Sequence, residues 1–142
     1  MSGCLVCDRL KLWSEGKNPY FIAEFKNSIF VVGDHQFYRG YSLLLLKDHI
    51  RELHELSDTQ YAELSRELMM ASTAIVKTFN PWKMNHESLG NTEEHVHWHI
   101  TPRYESDPHR HSNPYINRHQ FDDFSISHDE ARKIAASVRY NL

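Results

Sequence analysis

The sequence has no long hydrophobic run and no recognisable export signal. The segment from Met1 to Cys7 lacks the basic stretch followed by an apolar stretch that a secretory signal needs. No part of the chain approaches the ~18 consecutive apolar residues that would cross a bilayer. We therefore expect a cytoplasmic protein without a membrane partner.

The sequence also lacks an excess of positive charge. It has 16 Lys and Arg against 19 Asp and Glu, which gives a formal net charge of −3. A general nucleic-acid-binding protein usually has a strongly basic face, so we expect no nucleic acid partner. A nucleotide site is not excluded, because it needs only a local positive field from imidazoles, backbone amides and a few basic residues.

Cysteine is scarce, with only Cys4 and Cys7 in the chain. In a reducing compartment such a pair is expected to be reduced or metal-bound rather than a structural disulfide. The Cys-x-x-Cys spacing by itself also occurs in redox-active pairs. Tetrahedral zinc needs four nitrogen or sulfur ligands, of which these two cysteines supply half.

The remaining composition is that of a soluble globular protein. Hydrophobic residues make up 40% and charged residues 25% of the 142 positions, and both values are ordinary. The chain contains no internal repeat and no interdomain linker. Residues 1–142 are therefore predicted to form a single domain.

Short apolar runs separated by turn residues predict strands in the first 50 residues. Asp8–Trp13 fits a short helix before them. Phe21–Phe25 and Ile29–Val32 are separated by three polar residues, which is typical of a β-hairpin. The longer apolar run Tyr41–Leu46 predicts a central strand that is covered on both faces.

Two capping patterns indicate helices. Ser57 followed by Gln60 predicts a helix start. Apolar residues then recur every three or four positions as far as Phe79, which indicates a long amphipathic helix. Ser127 followed by Glu130 predicts the start of a short C-terminal helix that runs to about position 139.

Strands and a loop are predicted between these helices. Trp82–Glu87 and His95–Tyr104 fit strands, whereas Glu105–Phe124 is rich in polar and turn residues and predicts a loop with little regular structure. Two of its histidines, His109 and His111, are expected to be solvated. The order of strands, long helix and strands predicts an α+β fold, with an antiparallel sheet and the helix on one face.

Three histidines, His95, His97 and His99, alternate with apolar residues. On a strand the imidazoles would share one face and the apolar side chains the other. A row of imidazoles is costly to desolvate and to protonate together, which favours a chemical role over a structural one. A neutral imidazole can attack phosphorus, while a protonated neighbour can stabilise phosphate oxygens or donate to the leaving group.

The segment His95–Thr101, followed by Pro102-Arg103, resembles the signature of the histidine triad (HIT) family. Met84-Asn85 and Leu89-Gly90-Asn91 resemble the strand and glycine turn that precede this signature. Thr101 stands where the family has a last apolar residue. The resemblance covers residues 4–103 and implies a HIT-like fold, with one long helix and a short C-terminal helix, in a homodimer. Residues 104–124 match nothing in the family pattern.

The resemblance also implies roles for individual residues. His97 would be the nucleophile that carries a nucleotidyl group, and His99 would contact the α-phosphate. Asp34 would bind the ribose. The phosphate and leaving-group side of the pocket would be formed by Asn85, Asn91 and Thr92. Turn statistics alone explain these Asp and Asn residues equally well.

A zinc site follows from the same resemblance. Some bacterial members of the family, and the related galactose-1-phosphate uridylyltransferases, hold a structural zinc with two cysteines and two histidines. The matching residues in this sequence are Cys4, Cys7, His49 and His95. Such a zinc would join the N-terminus to the triad and would leave His95 without a direct catalytic role.

The implied function is that of a nucleotide hydrolase or nucleotidyl transferase. It would act on dinucleoside polyphosphates or nucleoside phosphoramidates through a covalent nucleotidyl-histidine, and magnesium would enter only with a polyphosphate substrate. Two alternatives stay open. One is a non-catalytic nucleotide-binding module. The other is a metalloenzyme in which the histidine row and Glu105 bind a metal on a cupin-like barrel, an architecture that the long helix fits poorly.

Overall fold

The computed structural model describes residues 3–142. Its helices are α1 (Leu5–Ser14), α2 (Asp58–Phe79) and α3 (His128–Tyr140), with 3₁₀ helices at Leu53–Glu55 and Pro114–Phe124. Its strands are β1 (Phe21–Glu24), β2 (Ser28–Val32), β3 (Ser42–Leu46), β4 (Lys83–Glu87) and β5 (His97–Arg103). None of the helices in this part of the chain is both long and apolar enough to cross a membrane.

The five strands form one antiparallel sheet in the order β1-β2-β3-β5-β4. The predicted hairpin supplies β1 and β2, and β3 lies in the centre, where four of its five residues are buried. In the pairing of β3 with β5, Leu43 lies opposite His99 and Leu45 opposite His97. The prediction of an α+β fold with an antiparallel sheet is confirmed.

The long helix α2 begins at the predicted cap. The Ser57 hydroxyl oxygen accepts a hydrogen bond from the backbone N–H of Gln60 at 3.1 Å, which satisfies a backbone donor that has no partner inside the helix. The helix is capped at its other end by Asn80, whose φ of 48° lies in the left-handed region that Asn tolerates better than most residues. Its buried side, which includes Leu64 and Ile75, packs into the main core.

The two faces of the sheet have different partners, because side chains alternate along each strand. Leu44 and Ile100 belong to the main core, together with residues of α2 and α3. Val31 and Leu45 point to the other face and pack with Val6 of α1 in a smaller cluster. The strand β5 presents its histidines on this second face, beside α1.

The triad strand is shorter than predicted. β5 begins at His97, whereas His95 lies in a bend closed by a 2.8 Å hydrogen bond from its N–H to the Glu93 carbonyl. The alternation along the strand therefore does not extend to His95. The hydrophobic pattern could not reveal this, because a bend changes backbone direction without changing the order of polar and apolar residues.

The segment Glu105–Phe124 is more regular than predicted. Its second half, Pro114–Phe124, forms a 3₁₀ helix. The side chain of Asn113 caps this helix by accepting a hydrogen bond from the N–H of Tyr115 at 2.9 Å. The prediction of an irregular loop is thus wrong for this half, because side-chain contacts to the rest of the fold stabilise the helix without an apolar period in the sequence.

Candidate active site and metal centre

His97 and His99 lie two residues apart on β5, on the face of the sheet beside α1. The centroids of their rings are 5.0 Å apart, and the ring planes are inclined by 62°. Leu45 and Leu43 lie opposite them on β3. The rigid centre of the sheet therefore holds two imidazoles side by side.

A backbone hydrogen bond fixes the ring of His97. Its Nδ1 lies 2.6 Å from the carbonyl oxygen of His95. A carbonyl oxygen can only accept, so Nδ1 carries the proton and the neutral ring keeps its lone pair on Nε2. The bend at His95 thus has a chemical consequence, because it brings the carbonyl to the atom that must stay protonated if Nε2 is to act as a nucleophile.

Tyr41, the residue before β3, fixes the ring of His99. The phenol oxygen lies 2.7 Å from Nδ1, and the two rings are nearly parallel at 8°. Burial, reinforced by the nearby imidazoles of His97 and His35, lowers the pKa of His99 to about 4, so the ring is neutral near pH 7. Burial raises the pKa of the Tyr41 phenol. The buried phenol proton needs an acceptor, so it is donated to Nδ1 and the proton of His99 resides on Nε2.

Two clefts meet at these histidines. The first has a volume of about 360 Å³. Its walls are formed by both imidazoles, by residues 89–93 and by two side chains of the second 3₁₀ helix, Tyr115 and Arg118. Asn91 and Thr92, two of the predicted substrate-binding residues, belong to this wall.

The second cleft has a volume of about 200 Å³ and lies between α1 and the sheet. Apolar side chains such as Val31 and Leu43 form most of its lining, together with both histidines. Asp34 lies at its edge, where one carboxylate oxygen accepts a 3.2 Å hydrogen bond from Arg9. The predicted ribose-binding residue therefore borders a pocket that also reaches the triad.

Asn85 does not line either cleft. It lies on β4 opposite Thr101, and its side-chain oxygen accepts a 2.9 Å hydrogen bond from Arg103. In this structure the Asn85 side chain therefore holds Arg103, and its contact with a substrate stays a prediction. Glu87, two residues further along β4, is the residue that lies opposite His99.

A cluster of metal-ligand type lies at the N-terminus of α1. It consists of Cys4, Cys7, His49 and His95, whose ligand atoms all lie within 4.8 Å of one another. The sulfur of Cys7 is 3.2 Å from Nδ1 of His49 and 3.5 Å from Nδ1 of His95. The two Nδ1 atoms are 3.1 Å apart. Ligand atoms around a tetrahedral zinc are separated by about 3.3–3.8 Å, given its bond lengths of about 2.0–2.3 Å, so the four residues fit a metal ion.

The surroundings of this cluster also favour a metal. Nε2 of His95 donates a 2.7 Å hydrogen bond to the Leu46 carbonyl, which leaves the Nδ1 lone pair directed at the cysteines, as in metal-ligating histidines. Burial and the contact with Cys4 raise the pKa of the Cys7 thiol to about 11, so a thiolate there requires a nearby cation. The cluster can therefore hold a metal ion.

The sequence patterns do not single out Tyr41, Tyr115 or Arg118. Tyr41 is predicted only as the first residue of a buried strand, and its contact with His99 depends on the register of β3 against β5. The other two residues lie in a segment without apolar periodicity. An aromatic and a basic residue three positions apart would be the only signal there, and it is a weak one.

The antiparallel sheet, the paired imidazoles on β5 and the Cys/His cluster define an α+β protein of the histidine triad type. Residues 16–106 match the family model of the HIT domain. The chain therefore belongs to the HIT family, whose members are in general nucleotide hydrolases and transferases. Its sequence has no significant match among curated proteins.

Solved structures with the same fold include bacterial and eukaryotic proteins. A histidine triad protein from Sinorhizobium meliloti is 23% identical, with a TM-score of 0.73 over 86% of this chain and 88% of that chain. A zinc-bound histidine triad family protein from Mycobacterium smegmatis is 19% identical, with a TM-score of 0.67 over 97% and 91%. The diadenosine triphosphate hydrolase of Plasmodium falciparum is 16% identical, with a TM-score of 0.67 over 86% and 75%.

Proposed function

We propose that the protein is a nucleotide hydrolase or nucleotidyl transferase that cleaves dinucleoside polyphosphates or nucleoside phosphoramidates at the α-phosphate. The main support is the 2.6 Å contact of His97 Nδ1 with the His95 carbonyl, which leaves Nε2 as a neutral nucleophile where two clefts meet. Membership of the HIT family agrees with this function.

In the first step, Nε2 of His97 attacks the α-phosphorus. The N–P bond forms while the bond from phosphorus to the leaving oxygen or nitrogen breaks, and the leaving group departs with the electron pair. The positive charge that develops on the His97 ring is stabilised by its Nδ1–H bond to the His95 carbonyl. His99 donates its Nε2–H to a non-bridging phosphate oxygen.

In the second step, water attacks the phosphorus of the nucleotidyl-histidine. The N–P bond breaks, His97 returns to its neutral form, and a nucleoside monophosphate leaves with the oxygen of water while one proton is released. Transfer to another acceptor follows the same course, with the acceptor oxygen in place of water.

The two clefts suit the two parts of a substrate. The apolar second cleft would hold the nucleoside, with Asp34 accepting hydrogen bonds from the ribose hydroxyls. Asn91 and Thr92 of the first cleft would bind phosphate oxygens. A polyphosphate substrate would bring its own magnesium ion.

The Cys/His cluster is proposed to bind a structural zinc. The similar Mycobacterium smegmatis protein is described as zinc-bound. In this chain the metal would fasten α1, of which Leu5, Val6 and Arg9 line the nucleoside cleft. Thiolate ligands suit a reducing compartment, which agrees with the expected cytoplasmic location.

A homodimer is the proposed assembly of this single domain, residues 1–142. β4 is an edge strand that, within residues 3–142, pairs with β5 alone, so its outer edge can join a second copy. Nearby on α2, the side chains of Met69 and Val76 are 60% and 41% exposed. Sedimentation analysis tests this proposal, because a Val76→Glu variant should be monomeric where the unmodified protein is a dimer.

Intact-protein mass spectrometry tests the catalytic proposal. We expect a transient nucleotidyl adduct and release of AMP when the protein is mixed with adenosine 5′-phosphoramidate or diadenosine triphosphate. His97→Ala should show neither, whereas His119→Ala, which changes an exposed histidine outside both clefts, should behave like the unmodified protein. Tight nucleotide binding without adduct or turnover in any of the three would instead identify a non-catalytic nucleotide-binding module.

A further inference from the structure

The second 3₁₀ helix turns one row of side chains toward the triad. A 3₁₀ helix has three residues per turn, so positions i, i+3 and i+6 lie on one side. Tyr115, Arg118 and Phe121 form such a row. The Arg118 guanidinium lies 5.8 Å from the centre of the Tyr115 ring, and that ring lies 6.5 Å from the ring of His99.

Arg103 fixes the chain that leads into this helix. Its side chain is fully buried at the end of β5. The guanidinium donates hydrogen bonds to the carboxylate of Asp107 at 2.9 Å, to the carbonyl of His109 at 2.9 Å and to the carbonyl of Ser112 at 2.6 Å. The buried Arg103 thus fixes the backbone path of residues 107–112.

Further contacts fix the helix itself. The hydroxyl of Tyr38 donates to the Pro114 carbonyl at 2.8 Å and accepts from the Asn117 amide at 2.8 Å. At the other end of the helix, the ring of Phe121 stacks on that of His35, with centroids 4.2 Å apart. Tyr115 and Arg118 therefore belong to a well-anchored segment that forms one wall of the first cleft.

The positive charge of the Arg118 guanidinium is available to a ligand in the first cleft. Arg118 forms no salt bridge with any carboxylate of residues 3–142. Glu93 is the acidic residue of the same cleft, and one of its carboxylate oxygens already accepts a 2.9 Å hydrogen bond from the backbone N–H of Leu5. A guanidinium in this position suits a phosphate group, which it can bind through two parallel hydrogen bonds.

We propose that Tyr115 and Arg118 form a leaving-group subsite for a nucleoside di- or polyphosphate, with Arg118 on the phosphate chain and Tyr115 stacked on the base. This inference rests on the proposed function and makes it more specific. It assigns dinucleoside polyphosphates, rather than phosphoramidates, as the preferred substrates of this chain.

The two substrate types differ in what leaves the α-phosphorus. Attack of His97 on diadenosine triphosphate breaks the P–O bond to the β-phosphate and expels ADP, which carries several negative charges and an aromatic base. Attack on adenosine phosphoramidate breaks the P–N bond and expels ammonia, with the proton that the leaving nitrogen needs taken from solvent water. Only the first leaving group offers an anion to Arg118 and a base to Tyr115.

Parallel measurements of kcat/KM on these two substrates test the subsite. Arg118→Gln should lower kcat/KM for diadenosine triphosphate by ~10-fold or more, as expected for the loss of a charge-assisted hydrogen bond, and should leave the value for adenosine phosphoramidate within about 2-fold. Arg118→Lys should recover part of the loss. The matched control is Arg110→Gln, since Arg110 also lies over an aromatic ring, that of Trp82, but outside the cleft.

A second measurement keeps the inference testable without turnover. His97→Ala protein saturated with AMP should bind ADP as a second ligand, and adding Arg118→Gln should weaken that binding by ~10-fold. An equal loss on both substrates, or unchanged ADP binding, would overturn the subsite while leaving the proposed function intact. Absence of turnover by the unmodified protein, with ADP binding that still depends on Arg118, would overturn the proposed function but support the anion subsite.

Discussion

The two faces of the sheet differ in chemistry although they share the same strands. On one face, residues such as Leu44 and Ile100 pack against α2 and α3 in an aliphatic core. On the other, β5 carries His97 and His99 between two clefts. A single step along β5 separates a residue of the hydrophobic core from a candidate catalytic group.

Stability and chemistry are thus separated by position within one strand. On the core face, truncation of a side chain is expected to destabilise the fold. The other face instead leaves open clefts beside the imidazoles. The Cys/His cluster is the exception, because it lies on the chemical side and yet is expected to contribute to stability. Changes at the metal cluster and on each face of the sheet test this division.

Removal of zinc should have the largest effect on stability. If the Cys/His cluster binds zinc, the metal stabilises the folded state by about 4 kcal/mol when free zinc is ~1,000 times its Kd. We expect a chelator to lower the midpoint of thermal unfolding and to increase hydrogen exchange in α1. Cys7→Ser should show the lowered midpoint without chelator. A chelator-insensitive midpoint with no metal in the purified protein would contradict the zinc proposal.

Ile100→Ala should destabilise the fold while sparing the chemistry. Ile100 is fully buried in the main core, and truncation of such a residue costs about 3 kcal/mol through lost burial and a residual cavity. Urea unfolding measures this loss. The matched change on the other face is His97→Ala, which should abolish turnover with a much smaller effect on stability. Similar losses of stability in both variants would show that the two faces are not separable.

Acidification should destabilise the fold through His99. Its pKa of about 4 in the folded protein lies below the ~6.5 of an unfolded histidine, so the unfolded chain binds more protons as the pH falls below about 6.5. The contribution of neutral His99 to the free energy of unfolding is complete above that pH, and about 2 kcal/mol of this contribution is lost at pH 5. The loss continues as the pH falls toward 4.

Urea unfolding of wild type and His99→Gln at pH 7 and pH 5 isolates this contribution. His35, His86 and His95, whose pKa values are also lowered by desolvation, are present in both proteins and cancel in the comparison. We expect the stability of the variant to fall by about 2 kcal/mol less than that of the wild type between the two pH values. Equal losses of stability in the two proteins would show that His99 has the same pKa in the folded and unfolded states.

The sequence carries enough information for most of the fold, because apolar periodicity and helix caps encode local structure. Ser57 predicts the start of α2, and the apolar run at 41–46 predicts the buried centre of the sheet. The triad and its resemblance to the HIT signature also point to His97 and His99. What escapes prediction depends on contacts between distant segments: the bend at His95, the phenol of Tyr41 beside His99 and the 3₁₀ helix after Arg103.

Tyr41→Phe should have the smallest of these effects, and it tests whether the chemical face depends on one donor. The phenol is the group that places the His99 proton on Nε2, and loss of a hydrogen bond worth about 1.4 kcal/mol in the transition state lowers the rate ~10-fold. We expect kcat to fall by that factor and the free energy of unfolding to fall by only about 1 kcal/mol, the net contribution of one hydrogen bond. Nitrogen-15 NMR of His99 provides the independent readout, because the variant should show a mixture of the two neutral tautomers. Tyr61→Phe, on the exposed side of α2, is the control. An unchanged tautomer in Tyr41→Phe would mean that the phenol does not position the proton of His99. The bound substrate itself would then have to determine which ring nitrogen carries that proton.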